Sequence, residues 1–139
     1  IVGAIGSGIC MGRWPKRYIL SSIYLGRVFV IAAFVLLPVT QGSIILFSAA
    51  MGILWLSTVP PTQGLVAVFF GTRYMAMLFG IAFFSHQLGS FLGIWLGGRI
   101  YDATGNYDLM WWSSVVAGIL AALAHWPIRE QSVPRLQPV

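Results

Sequence analysis

Apolar runs dominate the chain, and short polar or basic turns divide them into five. The first, Ile1 to Met11, is too short to cross a bilayer alone. Tyr18 to Leu37 is long enough and ends before Pro38, and Ile44 to Phe70 follows, closed by Gly71. Tyr74 to Gly98 contains no charged residue; as a helix rising ~1.5 Å per residue it exceeds a hydrocarbon core of ~30 Å. Leu109 to Trp126 is the last run, stopped by Pro127. The pattern predicts a partial helix at 1–12 and spans at about 18–37, 44–70, 74–98 and 109–126. Residues 1–127 then form one helical bundle, all-α and integral to a membrane, followed by a polar, Pro-rich tail at 128–139 that is expected to be disordered.

The run from Tyr74 to Gly98 carries Ser85, His86 and Gln87 near its middle, where lipid favours no polar group. Projected at ~100° per residue, Met77, Ile81, Phe84, Leu88, Leu92 and Trp95 share one large, apolar face. Ala82, Ser85, Gly89, Gly93 and Gly97 share the other, at the spacing that lets helix backbones approach closely. His86 and Ser90 project among these small residues, with Gln87 on their flank. His86 is therefore expected on the protein side of the helix, either contacting a solute or hydrogen-bonding a neighbouring helix. An unperturbed imidazole titrates near pH 6.5, so the first role would also permit proton coupling.

Two other spans hold candidate chemistry. Arg27 falls near mid-depth of the 18–37 run, where a charge costs at least ~2.5 kcal/mol unless paired, hydrated or facing a cavity. The acids all lie outside the spans, so its partner is a carbonyl, a solute or sequence not present here. In the 44–70 run, Ser48, Gly52, Trp55, Val59 and Gln63 share a face. Pro60 and Pro61 must interrupt the hydrogen-bond ladder there, a kink that membranes tolerate where neighbours or water satisfy the freed carbonyls. Ser57, Thr58, Thr62 and Gln63 surround it. His125, beside Trp126, is expected at the membrane interface, within the aromatic belts that Trp111, Trp112 and Trp126 supply. Asn106 or Asp108 is expected to cap the last helix.

Composition agrees with this picture: 58% of the residues are hydrophobic and only 8% charged, with mean hydropathy +0.86. A soluble domain has about a quarter of its residues charged. The net charge of +5 therefore reads as a topology signal rather than as a nucleic-acid surface. Arg13, Lys16, Arg17, Arg73, Arg129 and Arg135 occupy one set of turns, against Arg99 alone in the other. The positive-inside rule then places the C-terminus in the cytoplasm and the Pro60–Pro61 kink in the cytoplasmic half of its helix. A single cysteine, Cys10, excludes an internal disulfide and fits no metal-ligand cluster. Gly3, Gly6 and Gly8 lack the preceding strand and following acid of a nucleotide loop. The spans hold no carboxylate pair and no ligand cluster, so neither an enzyme nor a cofactor is expected. Ile1 lies inside an apolar run, and the chain is expected to be a fragment.

Gly8, Arg13, Lys16 and Arg17 follow the spacing of the cytoplasmic loop motif G-x-x-x-D-R-x-G-R-R, and in this the chain resembles the major facilitator superfamily. Gly12 stands in place of the motif's Asp and Pro15 in place of its Gly, so the locking role of that Asp is not carried over. The stretch FGTRYMAMLFGIAFFSHQLGSFLGIWLGGRIYDATGNYD is similar to bacterial permeases of the monocarboxylate-transporter and oxalate/formate-antiporter branch. The resemblance implies the end of the eighth helix through the twelfth, in the bacterial inner membrane, partnered by the missing N-terminal half. It also implies alternating access to a small organic anion, with His86, Gln87, Ser90, Arg27 and Trp55 as candidates for substrate or proton contact. A second reading stays open: a non-transporting four-helix module that assembles through its glycine seam. An open reading frame extending several spans upstream would favour the transporter, whereas a start near Ile1 would favour the module.

Overall fold

The computed structural model describes residues 1–132, so of the predicted tail 133–139 lie outside the described residues. Every element among the described residues is an α-helix: α1 (Val2–Met11), α2 (Lys16–Leu36), α3 (Gln41–Leu56), α4 (Val59–Phe70), α5 (Met75–Thr104) and α6 (Asp108–His125). Four helical spans are long and apolar enough to cross a membrane, with α3 and α4 counted as one of 30 residues.

Local chemistry sets the boundaries. Leu37 is extended (φ −93°, ψ 154°) because the following Pro38 disfavours the helical region, and α2 stops there. Thr40 and Ser43 form a reciprocal capping box that starts α3. Residues 41–43, expected as part of a turn, are therefore its first turn. The predicted 44–70 span is divided at Ser57 and Thr58. Pro60 and Pro61 have no N–H to offer the carbonyls of Leu56 and Ser57, and their rings crowd them. Both prolines sit in the first turn of α4, where missing N–H groups leave no internal bond unmade. α5 runs six residues past the predicted limit of Gly98, through Arg99 and Asp102, because nothing before Gly105 breaks it. Gly105 closes it in the left-handed region (φ 73°), its N–H reaching Tyr101 O at 2.8 Å. Neither Asn106 nor Asp108 is the N-cap of α6, which is Tyr107 without a side-chain cap bond, but Asn106 Oδ1, one residue earlier, accepts from the Asp108 N–H at 3.1 Å.

The packing is built on α2 and α6, the most extensive helix pair. Leu20, Ile23 and Ile31 of α2 and Val115 and Ala122 of α6 are buried. The buried Ser21 hydroxyl donates across the pair to Ala122 O at 3.0 Å. The far end is closed by rings: Phe34 stacks on Phe47 at 4.3 Å, and both meet Trp111 within 6 Å. Trp111 is thus part of a cluster, while Trp112 and Trp126 are exposed. α1 lies against α3, where Gly3 has no room for a side chain: an added Cβ would strike Ile53 O and come 2.5 Å from Ser57 Oγ. Gly3→Ala is expected to push α1 off α3. The clash is with backbone, which no rotamer change relieves, so the cost is expected within the overpacking range of ~1–3 kcal/mol, read as lowered thermal stability in mild detergent.

Candidate functional site

α2, the α3–α4 junction, α5 and the end of α6 enclose an open cavity of about 500 Å³. All five residues singled out for solute or proton contact line it: Arg27, Trp55, His86, Gln87 and Ser90. Arg27 is the twelfth of the 21 residues of α2 and His86 the twelfth of the 30 of α5. Both stand well inside their helices. Among the described residues Arg27 is the only charged one in the lining, and no carboxylate accompanies it.

The broken helix positions Arg27. Carbonyls in the last turn of α3 lose regular partners where the ladder is interrupted, and side chains supply replacements. Arg27 Nη2 donates to Leu54 O at 2.9 Å and to Trp55 O at 3.0 Å. Thr58 Oγ1 also donates to Trp55 O, and Ser57 Oγ to Ile53 O at 2.7 Å. Thr62 Oγ1 donates to Thr58 O at 2.7 Å on the other side of the break. The guanidinium lies over two rings, 5.4 Å from the Tyr24 centroid and 5.1 Å from that of Trp55, where ring quadrupoles favour a cation. Its Nε is buried and has no partner among the described residues. Arg27 therefore holds the kink together while keeping its full positive charge beside the cavity.

His86 faces rings rather than hydrogen-bond partners. Trp55 meets it edge-on at 6.3 Å and Phe83 lies 6.1 Å away; no hydrogen bond reaches its imidazole among the described residues. His86 and Gln87 are exposed. Ser90 Oγ donates to His86 O at 3.0 Å, so toward the cavity that hydroxyl offers lone pairs.

His125, expected at the membrane interface, also lines the cavity, at the end of α6. It stacks on Tyr24 at 5.2 Å, and its Nδ1 lies 2.6 Å from Ala121 O. A carbonyl only accepts, so Nδ1 carries the proton and Nε2 holds the lone pair in the neutral ring. The signal was present in the spacing: Trp111, Val115, Gly118, Ala122 and His125 recur at three and four residues, and Val115 and Ala122 are core. Tyr24, Thr58, Thr62 and Phe79 also line the cavity and were not singled out as contacts.

The glycine seam of α5 is only partly covered among the described residues. Only Gly97 meets another helix, with Met110 3.8 Å from where its Cβ would be. Gly89 and Gly93 face open space, and the Ser85 hydroxyl donates to Ala82 O of its own helix. α5 leans chiefly on α4 and α6, leaving this part of the seam without a helix across it. The large face of α5 (Met77, Ile81, Phe84, Leu88, Leu92, Trp95) is exposed, the arrangement expected toward lipid. The loop-motif residues Arg13, Lys16 and Arg17 gather at the opposite end of α2 from Leu36, and Gly8 has free space around it.

Comparison with protein-family models, curated proteins and solved structures finds no match to this chain.

Proposed function

We propose that the chain is the C-terminal part of a secondary transporter of the major facilitator type, moving a small organic anion by alternating access. The observation that carries this reading is the convergence of Arg27, Trp55, His86, Gln87 and Ser90 on one open cavity well inside the spans. A lone guanidinium beside aromatic rings, with no carboxylate in the lining, favours an anion over a cation or a neutral solute. A binding site at mid-membrane beside a discontinuous helix is how secondary transporters expose one site to either side in turn. The turns carrying Arg13, Lys16, Arg17, Arg73 and Arg129 would face the cytoplasm of a bacterial inner membrane, together with the C-terminus. The partners are then the lipid bilayer, the other half of the transporter, a small solute and protons; no nucleic acid, cofactor or enzymatic step is involved.

Uptake of radiolabelled pyruvate, formate and oxalate by cells expressing the full-length protein tests this, with His86→Ala and His86→Gln compared at pH 5.5 and 7.5. Loss of a direct contact worth ~1.4 kcal/mol lowers uptake about tenfold. His86→Gln, which keeps a hydrogen-bonding group but cannot titrate, should also flatten the pH dependence. Uptake and pH profile unchanged in both variants would remove His86 from the mechanism, and absence of uptake for any organic anion would remove the transport reading. One observation favours the second reading: the open face at Gly89 and Gly93 is free to receive a helix of another chain. Disulfide trapping through Gly89→Cys between identical or different subunits would favour that assembly.

A further inference from the structure

The end of the bundle where α1 stops, α2 starts and α6 finishes holds a second concavity, of about 610 Å³. Arg13, Lys16, Arg17 and Arg129 line it with a single acid, Glu130. That acid is already engaged. Its Oε1 accepts the Arg17 backbone N–H at 2.8 Å, and its Oε2 lies 3.7 Å from Lys16 Nζ. The Arg17 guanidinium donates from Nη1 to Ile128 O at 2.9 Å and from Nη2 to Tyr18 Oη at 3.1 Å, while its Nε is buried without a partner among the described residues. These bonds tie residues 128–130 to the start of α2, so this part of the predicted disordered tail is ordered. Arg13 and Arg129 are exposed, and their side chains have no hydrogen bond or ion pair among the described residues. The basin therefore keeps a surplus of positive charge.

A third concavity, of about 580 Å³, lies alongside, between α1, α2 and α3, and its character is opposite. Ile19, Ile23, Ile53 and Leu54 are among its lining residues, and Gly6 leaves open space beside it. Trp14, 66% exposed, lines both concavities. A cationic basin joined through an indole to an apolar groove matches a molecule with a charged head and a hydrocarbon chain. Basic pockets at helix ends favour anionic headgroups, Arg forks suit phosphate oxygens, and Trp settles at headgroup depth. A free phosphate would use the basin and leave the groove unfilled.

We propose that this is a binding site for one anionic glycerophospholipid. Its phosphodiester lies in the basin against Arg13 and Arg129, and an acyl chain lies in the groove over Gly6. The site is separate from the solute cavity and does not depend on the transport reading.

Native mass spectrometry of the protein released from mild detergent tests it, with phosphatidylglycerol and phosphatidylcholine of identical chains as probes. Each unpaired arginine near the headgroup contributes about fivefold. Wild-type protein should therefore prefer phosphatidylglycerol by at least tenfold. Arg13→Gln and Arg129→Gln should each lower that preference about fivefold, and the pair should abolish it. Both side chains are exposed and unpartnered, so these changes leave packing intact, and Arg13→Lys with Arg129→Lys should retain the preference. Gly6→Leu, which meets no atom within 4 Å at its Cβ, should weaken both lipids while leaving their ratio unchanged. Equal binding of the two lipids by wild type, or a preference that survives the double Gln variant, overturns the site. Displacement of phosphatidylglycerol by millimolar inorganic phosphate overturns the lipid assignment in favour of a soluble anion.

Discussion

Arg27→Met should lower unfolding stability in mild detergent by about 2 kcal/mol, and Arg27→Lys by less. Two effects of opposite sign meet at this residue. Removing a cation from mid-depth relieves the cost of holding it there, which on insertion scales is at least ~2.5 kcal/mol. Against this, the guanidinium satisfies Leu54 O and Trp55 O at 2.9 and 3.0 Å, where the α3 ladder is broken. Hydrogen bonds from a charged donor are worth ~1.5–3 kcal/mol each, and an orphaned buried carbonyl costs ~1–3 kcal/mol. The stacking over Tyr24 and Trp55 adds to the same side. The adjoining cavity of about 500 Å³ lets water reach some of the freed carbonyls and also hydrates the charge. That softens both terms without reversing their order, and it keeps the loss near the lower end. Lys keeps the charge but presents a compact ammonium on a flexible stem, without the planar fork that fits the two carbonyls. Equal or higher stability in Arg27→Met, measured by thermal or SDS unfolding, would show that the desolvation cost wins.

Arg27 and the Pro60–Pro61 kink also mark how far the sequence could be read. Each was legible alone: a charge inside an apolar run needs a partner, and a double proline frees carbonyls. That Arg27 reaches Leu54 O and Trp55 O, two residues before the carbonyls the prolines deprive, depends on α2 and α3 running antiparallel with Arg27 level with Leu54, which no local pattern states. The spans were legible because hydrophobic run length is a local property. The end of α5 was misplaced because polar residues 99–104 read as loop, whereas the stop is Gly105 in its left-handed conformation. Glu130 was not singled out because its role exists only where the segment after α6 meets the start of α2. His125 was assigned from its neighbour Trp126 instead of from the three-four spacing of Val115, Gly118 and Ala122, which points at α2.

That same stripe gives the other large effect. Gly118→Ala should destabilise the protein by about 1–3 kcal/mol, the usual range for overpacking a close contact. The added Cβ would lie 2.5 Å from Val28 Cγ2 and 3.8 Å from Tyr24 O. Val28 cannot swing aside, because a β-branched side chain in a helix has essentially one rotamer. The helices themselves cannot part cheaply either. α2 and α6 form the most extensive helix pair, with Val115 and Ala122 of α6 buried, and share the Ser21–Ala122 hydrogen bond. Separation would also shift Tyr24 from His125, stacked at 5.2 Å at the cavity edge. The clash is with a side chain, so it has a specific cure. Val28→Ala alone should cost about 1–2 kcal/mol for lost methyl burial and a small void. Combined with Gly118→Ala, the new methyl occupies that void, and the double variant should be at least as stable as Gly118→Ala alone. Contacting residues couple by ~0.5–3 kcal/mol, whereas independent sites simply add. A double variant whose loss equals the sum of the two single losses would mean that Gly118 does not meet Val28, and that α2 and α6 pack in another register.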